Sequence, residues 1–378
     1  MTVKVKAIFT GGGTGGHIYP ALALIKEFKK RRPDSEVLYV GTGGLESKIV
    51  PDNKIAFRQI SVMGHKRGSF FSAFKEIYSL YRAVKEAKLI IKEFKPDFIM
   101  GTGGYVSMPS AIAAKLMGVK VFLHEQNAAP GLSNRFINLF AEKTFISYEA
   151  GASRFIRKSS LRLCGNPVRR EIIEAGSEES YNFFGFDPFK KTILIFGGSI
   201  GASSINSAAA SLIEDLMSGR DDLQVIFITG ERDYNNYKYL QEPKINKNNC
   251  LKLFPFLDKI YYAFKISDIL ICRAGATTLS EIMAGGKCSV LVPYPHATDN
   301  HQYKNAMALK EKSAAFIIDD SRLNVSKDLN EIVVRLLEDK NLVEQTGGNA
   351  LKMAMPEAAS LICGEIENSL FINSGEKK

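Results

Sequence analysis

Short apolar runs alternate with longer amphipathic stretches along most of the chain. Short apolar runs predict buried strands, and the stretches between them have the periodicity of amphipathic helices. Strands that alternate with helices are typical of βαβ units and a parallel sheet. One series of strands is predicted in the first half of the chain, and a second series begins at Thr192. The predicted strands lie near residues 3–10, 36–40, 56–60, 97–101, 120–124, 143–147 and 161–164, then 192–196, 223–229, 250–254, 268–272, 288–292 and 314–318.

A region rich in turn residues separates the two series. Residues 165–190 include Gly165, Pro167, Gly176, Gly185 and Pro188, and this density favours an interdomain linker. With 378 residues the chain is long enough for two domains of ordinary size. We predict an α/β protein with two Rossmann-like domains whose parallel sheets face a central cleft. The expected bounds are 1–164 for the first domain, 165–350 for the second, and 351–378 for a C-terminal helix that packs back on the first domain.

Glycine-rich loops follow three of the predicted strands. Residues 11–17 read GGGTGGH and lead into a helix predicted over 18–32, and similar loops occur at 101–105 and 197–201. Bare backbone N–H groups at the start of a helix bind anions. A glycine also simply permits a tight turn, and this alternative stays open. Three such loops at strand ends, where open α/β sheets bind ligands, favour anion sites.

The first loop also matches the dinucleotide-binding pattern G-x-G-x-x-G, through Gly11, Gly13 and Gly16. Such a site needs an acidic residue about 20 residues further on, at the tip of the second strand. The predicted strand 36–40 runs into GTGG and has no acid at its tip. A P-loop is excluded because no Gly-Lys-Ser/Thr follows the glycines. The loop therefore predicts a site for a different diphosphate.

Charge is distributed unevenly along the chain. Residues 1–164 carry 26 Lys and Arg against 12 Asp and Glu, a net charge of +14, whereas the whole chain has a net charge of +10. This asymmetry indicates that the first half meets a polyanion, either nucleic acid or an anionic membrane surface. The sequence has no recognisable nucleic-acid module. On charge alone, both alternatives stay open.

Cysteine spacing and hydropathy exclude several other classes. The five cysteines lack C-x-x-C spacing, which favours reduced thiols in a cytosolic protein over disulfides or a zinc site. No run approaches the roughly 18 apolar residues of a transmembrane helix, and no N-terminal signal pattern is present. No Asp-x-Asp follows a predicted strand, so we expect neither a metal nor another cofactor.

Polar clusters follow several strands. The stretch 273–281, RAGATTLSE, places hydroxyl groups and free N–H groups at a helix start, with Glu281 one to two turns further on. An exposed helix glutamate is the alternative interpretation of Glu281. The polar loop 293–302 and the sequence HEQN at 124–127 also follow strands. Buried polar clusters are costly unless they are paired, so they bind a ligand or tie loops together.

Seven motifs together carry a resemblance to a known family. They are GGTGGH (12–17), GGYVS (103–107), HEQN (124–127), GNPVR (165–169), GGS-x-GA (197–202), GATTLSE (275–281) and HQ (301–302). In this order they resemble the MurG family of bacterial peptidoglycan glycosyltransferases, within glycosyltransferase family 28. No single motif is decisive, but the ordered set covers both predicted domains and is highly specific.

The resemblance implies a GT-B fold and a definite reaction. Members transfer N-acetylglucosamine from UDP-N-acetylglucosamine to the 4-hydroxyl of undecaprenyl-diphospho-muramoylpentapeptide, with inversion. It also implies a peripheral protein at the cytoplasmic face of the cell membrane, so the expected polyanion is an anionic membrane surface and not nucleic acid. Another GT-B enzyme, such as a UDP-sugar-dependent glycolipid glycosyltransferase or a UDP-sugar 2-epimerase, is the alternative. The HEQN and GGYVS motifs argue against it, since both should vary with a different acceptor.

Site residues follow from the matching motifs. The resemblance implies donor contacts from Arg169, Ser199, Ala276, Thr277, Thr278, Leu279, Ser280, Glu281 and Gln302, with Glu281 on the ribose, Gln302 on the sugar and Leu257 beside the uracil. It assigns Thr14, Gly15, Gly16 and Asn127 to the donor sugar from the other side. It assigns Gly12, Gly13, Gly103, Gly104, Tyr105 and Glu125 to the acceptor. Ile200 departs from the family pattern, in which Gln is common.

His17 and the segment 66–95 each have two alternative interpretations. His17 is the candidate base, because an imidazole with a pKa near 6.5 suits proton transfer at neutral pH; its alternative is to hold a loop or the acceptor diphosphate. In residues 66–95, aromatic and apolar side chains recur at helical spacing among lysines and arginines. Phe70, Phe71, Phe74, Ile77, Tyr78 and Tyr81 either face the core or form a surface that meets anionic lipid.

Overall fold

The computed structural model describes residues 4–62, 70–198, 201–323 and 328–371, without the side chains of residues 70–74. The chain divides into two compact units. Unit 1 comprises residues 1–168 and 355–378, and unit 2 comprises residues 169–354. Each unit is an α/β structure with one parallel sheet, as the alternating pattern predicts.

The described residues of unit 1 form a seven-stranded parallel sheet in the order β3-β2-β1-β4-β5-β6-β7. Its strands are β1 (Lys6–Thr10), β2 (Glu36–Gly41), β3 (Ala56–Gln59), β4 (Phe98–Gly101), β5 (Lys120–Glu125), β6 (Lys143–Ile146) and β7 (Leu161–Leu163). Its helices are α1 (Gly15–Arg31), α2 (Glu46–Asp52), α3 (Phe70–Phe94), α4 (Ser107–Leu116), α5 (Leu132–Asn138) and, near the chain end, α14 (Ala358–Phe371).

Both faces of this sheet are buried, which is why its strands read as continuous apolar runs. Alternate residues of β1 face opposite sides. Phe9 packs with Phe28 of α1 and Phe98 of β4, whose rings meet edge to face at 5.5 Å. Ile8 packs on the other face with Ile99. The two covered faces hold the carboxyl ends of the strands at a fixed edge.

Helix α14 packs against α1 within unit 1. Ile362 and Ile366 belong to the same apolar cluster as Leu24 of α1. At the end of α1, Nη2 of Arg31 donates to Glu367 at 2.5 Å. This apolar contact and ion pair fasten the end of the chain to the helix that follows the first glycine loop.

The described residues of unit 2 form a six-stranded parallel sheet in the order β10-β9-β8-β11-β12-β13. Its strands are β8 (Lys191–Phe196), β9 (Leu223–Ile228), β10 (Leu251–Phe254), β11 (Ile269–Cys272), β12 (Cys288–Leu291) and β13 (Phe316–Ile317). Its helices are α6 (Glu171–Glu174), α7 (Ser177–Phe184), α8 (Ser203–Gly219), α9 (Ile260–Ile266), α10 (Ala276–Gly285), α11 (His301–Lys310), α12 (Asp328–Glu338) and α13 (Lys340–Lys352).

The predicted linker over residues 165–190 is wrong for most of its length. Residues from 169 onwards belong to unit 2 and form α6 and α7. Gly176 is the N-cap of α7, and Gly185 is its C-cap in the left-handed conformation with φ of +64°. Gly176 and Gly185 therefore mark the two ends of a short helix.

The exposure of side chains on α3 shows which of them face the core and which lie on the surface. Ala83, Ala87 and Ile91 face the core. Tyr78 and Tyr81 are 64% and 65% exposed, so the core-facing interpretation is wrong for them. The side chains of Phe70, Phe71 and Phe74, and residues 66 and 67, lie outside the described residues. Among the residues that the structure describes, no helix is long and apolar enough to cross a membrane.

Candidate active site

Two glycine loops of unit 1 lie where the strand order of its sheet reverses. β1 lies between β2 and β4, so the loops after β1 and β4 leave the carboxyl ends of neighbouring strands. Open α/β sheets bind ligands at such a point. The first loop leads into α1, whose first N–H groups have no acceptor within the helix and whose dipole favours negative charge.

Two glycines of the second loop, Gly103 and Gly104, are required by contacts within the protein. A Cβ on Gly104, which has φ of +81°, would lie 2.6 Å from the carbonyl oxygen of Gly12. A Cβ on Gly103 would lie 2.8 Å from Nδ1 of His17. Any side chain at either position would push the two loops apart. Their close approach accounts for these glycines without a ligand.

His17 lies in the first turn of α1 and contacts the second loop. Its Nδ1 lies 2.9 Å from the carbonyl oxygen of Thr102 and 3.3 Å from Oε1 of Gln126. The amide nitrogen of Gln126 donates to the same carbonyl at 2.6 Å, which fixes the orientation of the amide. Since both neighbours of Nδ1 are acceptors, this network assigns the proton to Nδ1. The neutral ring therefore keeps its lone pair on Nε2.

A second imidazole extends the network. Nδ1 of His124 accepts a hydrogen bond from the amide nitrogen of Gln126 at 3.1 Å, and its Nε2 donates to the carbonyl oxygen of Gly165 at 3.0 Å. Burial lowers the pKa of His124 to about 4, so this ring is neutral at pH 7. This series of hydrogen bonds, from Gly165 through His124 to Gln126, holds the His17 ring in one orientation.

Burial has the largest effect on the pKa of His17 and lowers it below 6.5. The hydrogen bonds to Thr102 and Gln126, and the charge of Glu46, raise it by smaller amounts. The ring is half-buried and is neutral at pH 7. A neutral imidazole with Nδ1 protonated and Nε2 unprotonated is the form that a general base requires.

Glu125 is used within the loop that follows β5. Its carboxylate is 2% exposed and accepts hydrogen bonds from the backbone N–H of Asn127 at 2.9 Å and of Gly131 at 3.1 Å, and from Nδ2 of Asn134 at 2.8 Å. Burial raises its pKa, and these hydrogen bonds oppose the rise. The direct acceptor contact that the resemblance implies would require these bonds to break.

Unit 2 has an equivalent edge, where the order of its strands reverses between β8 and β11. The loop after β11 leads into α10, and Gly275 is the N-cap in an extended conformation. A glycine N-cap offers no side chain to the first N–H groups of the helix. The start of α10 is therefore suited to an anion.

Glu281 lies in the second turn of α10 and is 4% exposed, which excludes the exposed-glutamate interpretation. Its Oε1 accepts a hydrogen bond from Nε of Arg169 at 2.7 Å. A buried carboxylate is stable only with such partners. The ion pair fixes the orientation of Glu281 at the start of α10.

Two other residues of unit 2 that the resemblance assigns to the donor are Gln302 and Leu257. Oε1 of Gln302, in the first turn of α11, accepts a hydrogen bond from the backbone N–H of Tyr294 at 3.0 Å. Leu257 is 8% exposed and belongs to the apolar core on one face of the sheet. Ser199 and Ile200 lie outside the described residues.

Comparison with known protein families shows the family to which the chain belongs. Residues 7–146 match the N-terminal domain of glycosyltransferase family 28, and residues 192–362 match its C-terminal domain. The chain belongs to glycosyltransferase family 28. Both units of the structure therefore correspond to domains of this family, whose fold is GT-B.

Relatives within family 28 match the chain over nearly its full length. A protein of Finegoldia magna, named UDP-N-acetylglucosamine–N-acetylmuramyl-(pentapeptide) pyrophosphoryl-undecaprenol N-acetylglucosamine transferase, is 39% identical over 95% of this chain and 96% of its own. A Bacillus subtilis protein of the same name is 39% identical over 96% and 99%. The crystal structure of MurG from Acinetobacter baumannii has a TM-score of 0.73 at 26% identity, covering 96% of this chain and 99% of that one.

The family 28 fold brings the predicted residues together in two groups. One group lies at the strand ends of unit 1 and comprises Gly12, Gly13, Thr14, Gly15, Gly16, His17, Gly103, Gly104, Tyr105, Glu125 and Asn127. The other lies in unit 2 and comprises Arg169, Leu257, Ala276, Thr277, Thr278, Leu279, Ser280, Glu281 and Gln302. Their contacts with substrates stay predictions.

Two buried charged residues at these edges were given no role from the sequence, although Arg273 begins the stretch 273–281. Glu46 of α2 lies behind the first glycine loop and is fully buried. Arg273 directly follows β11, and its Nη2 donates to Oγ of Ser204 at 2.8 Å while its Nη1 pairs with Asp320. An acid was sought only at the tip of the second strand, whereas Glu46 lies beyond it on the next helix. An arginine directly after a buried strand was the available signal for Arg273.

Potential metal ligands do not converge in the described parts of the chain. Over residues 4–62, 70–198, 201–323 and 328–371, no three His, Cys, Asp or Glu side chains form a group that could hold a metal ion. Helix starts and the ionisable side chains described above contribute charge at the candidate site.

Proposed function

We propose that this chain transfers N-acetylglucosamine from UDP-N-acetylglucosamine to the muramoyl 4-hydroxyl of undecaprenyl-diphospho-muramoylpentapeptide. The observation that carries this proposal is the 39% identity, over 95% of the chain, to a transferase of that name. The ordered motifs of both units support it. This reaction makes the disaccharide lipid precursor of peptidoglycan.

His17 is the base in this proposal. As the 4-hydroxyl oxygen attacks the anomeric carbon, its proton passes to Nε2 of His17. The bond from that carbon to the donor diphosphate breaks, and UDP leaves with the electron pair. Attack from the face opposite the leaving group inverts the configuration. The neutral ring and its protonated Nδ1, held by Thr102 and Gln126, support this role.

Unit 2 supplies the donor contacts in the proposal. The first N–H groups of α10, over residues 276–278, bind the diphosphate and offset the negative charge that develops on it. Glu281 accepts the ribose hydroxyls, and Arg169 orients it. Leu257 lines the uracil and Gln302 contacts the sugar. The assignments of Ser199, Thr14, Gly15, Gly16 and Asn127 to the donor rest on the family resemblance alone.

The acceptor is assigned to unit 1. The second glycine loop, Gly103 to Tyr105, and the N-terminus of α1 are suited to its diphosphate by backbone N–H groups and helix dipole. Tyr105 is 46% exposed. Gly12 and Gly13 act in the packing of the first loop, and Glu125 acts by ordering the loop after β5.

An exposed face of unit 1 is proposed to meet the cytoplasmic face of the membrane. α3 packs on α4, and α4 packs on α5. These helices expose large apolar side chains: Ile77, Tyr78, Tyr81 and Leu89 on α3, Leu116 on α4, and Leu132 and Phe136 on α5. Arg82, Lys85 and Lys88 are also exposed on α3. Apolar side chains interleaved with basic ones suit an anionic interface.

Charge removal on α3 tests the membrane contact. The double variant Lys85→Gln, Lys88→Gln is expected to bind anionic vesicles about fivefold more weakly for each lysine removed, since each contributes roughly 1 kcal/mol near such a surface. Co-sedimentation with vesicles of phosphatidylglycerol and of phosphatidylcholine measures this. Phe189→Ser, at a 95% exposed site of unit 2, is the control. Equal wild-type binding to both vesicle types would exclude an electrostatic contact.

A transfer assay tests the function directly. Radiolabelled UDP-N-acetylglucosamine and a short-chain lipid-linked acceptor are expected to give labelled disaccharide lipid, at the same rate with and without a chelator. The rate is expected to be unchanged because helix N-termini neutralise the leaving diphosphate in this proposal. No transfer in either condition would overturn the proposed function. Loss of transfer only with chelator would overturn the metal-independent mechanism.

A further inference from the structure

Glu46 is a buried carboxylate placed directly behind the first glycine loop. It is the first residue of α2 and is 0% exposed. Its Oε2 accepts from the backbone N–H of Gly13 at 3.1 Å. Its Oε1 accepts from the backbone N–H of Thr42 at 3.0 Å and from the Thr42 hydroxyl at 2.5 Å. Three donors from two loops thus converge on one side chain.

The loop and the carboxylate have complementary shapes. A Cβ on Gly12 would lie 2.3 Å from Oε1 of Glu46, and a Cβ on Gly41 would lie 2.7 Å from its Cγ. Neither position could carry a side chain while Glu46 stays in place. The carboxylate fills the space left by these two glycines and joins the end of β2 to the start of α1.

This placement works against a diphosphate on the same part of the loop. The N–H of Gly13 is directed at Glu46, so it is not available to an anion. The favourable partner for a carboxylate in this position is a positive charge that develops nearby.

We propose that Glu46 is a positioning residue for the proton transfer at His17, an inference that rests on the proposed function. Its hydrogen bond to Gly13 fixes the first glycine loop. This loop leads into α1 and thereby determines the position of His17. When Nε2 of His17 takes the acceptor proton, the ring becomes an imidazolium, and the Glu46 carboxylate stabilises this charge through space. The buried acid of a Ser-His-Asp triad stabilises an imidazolium in a comparable way.

Within the part of the chain that the structure describes, Glu46 is the negatively charged side chain that affects the pKa of His17. Tyr39 of β2 donates its hydroxyl to the carbonyl oxygen of Gly11, and burial raises its pKa, so it is neutral. His124 of β5 is neutral at pH 7. The carboxylate of Glu125 accepts hydrogen bonds from Asn127, Gly131 and Asn134, as described above. The charge of Glu46 raises the pKa of His17.

Glu46→Gln tests the inference because it removes the charge and keeps the size of the side chain. We expect kcat to fall by about 10- to 100-fold, the range that misplacement of a catalytic group produces, with the donor KM nearly unchanged. The acidic limb of the pH–rate profile is expected to move to lower pH, since the pKa of His17 falls when the carboxylate is lost. Asp52→Asn, an exposed change at the end of the same helix, is expected to alter neither.

A second variant separates charge from geometry. Glu46→Asp keeps the charge but shortens the side chain, so kcat is expected to fall while the acidic limb stays near its wild-type position. A role in loop packing alone would lower the rate of both variants without moving the limb in either. That result would overturn the inference.

Direct titration of His17 is independent of transfer activity. The chain has five histidines, so the His17 resonance is assigned by its loss in His17→Asn. NMR titration is expected to give a lower pKa for His17 in Glu46→Gln than in the wild type or in Asp52→Asn. An unchanged pKa would overturn the inference even if the enzyme transfers sugar. A lowered pKa in a chain without transfer activity would instead count against the proposed function alone.

Discussion

His17→Ala is expected to lower kcat by about 10²- to 10⁴-fold, the usual contribution of a general base. The variant keeps the glycine loops and the starts of α1 and α10, so the KM for UDP-N-acetylglucosamine is expected to stay within about threefold of the wild type. Steady-state rates with saturating lipid acceptor measure the change. The expected loss is confined to kcat because the base acts only as the hydroxyl attacks.

Chemical rescue separates a base from a residue that only holds a loop. Free imidazole is expected to restore part of the activity of His17→Ala, since the lost ring leaves space beside Gly103. A thermal unfolding midpoint close to that of the wild type would show that the loops remain folded. Turnover of His17→Ala within about tenfold of the wild type would contradict the base assignment.

The wild-type pH profile follows from the same group. A base works only when it is deprotonated, and burial lowers the pKa of His17 below 6.5. Activity is therefore expected to be on its plateau at pH 7 and to fall only as the pH drops through the lowered pKa. Rates measured from pH 5 to pH 8 check this sign.

The strands were predictable because both faces of each sheet are covered. Residues such as Ile8 and Phe9 are then both buried, and the strand reads as an unbroken apolar run. The linker prediction over residues 165–190 was wrong because a local pattern does not show which residues pack against a domain. Gly176 and Gly185 fit a linker or the two ends of a short helix, and only packing against unit 2 decides between them.

The chemistry of the site was less predictable because it depends on contacts between distant loops. The protonated nitrogen of His17 is set by the carbonyl of Thr102, which lies 85 residues away in the sequence. Glu46 reaches Gly13 across 33 residues, and no local pattern marks that approach. The motifs identified the loops that meet, but the direction of each hydrogen bond required the folded backbone.

Glu281→Ala is expected to raise the KM for UDP-N-acetylglucosamine by about 10²-fold, because hydrogen bonds to a charged group contribute roughly 1.5–3 kcal/mol each. The carboxylate is 4% exposed, so water replaces these bonds poorly. Glu174→Ala is the control, since Glu174 is an exposed glutamate of the same unit that pairs with Arg170. Donor KM values from initial rates at saturating acceptor measure the effect.

Loss of Glu281 also leaves Arg169 without the carboxylate that it contacts at 2.7 Å, so a raised KM alone does not identify the ribose as the ligand. A donor with 2′-deoxyribose in its nucleotide separates the two effects. The wild type is expected to bind this analogue more weakly than the natural donor, whereas Glu281→Ala should bind both alike. If the analogue loses as much affinity with the variant as with the wild type, the ribose contact is wrong. The role of Glu281 is then to hold Arg169 at the start of α10.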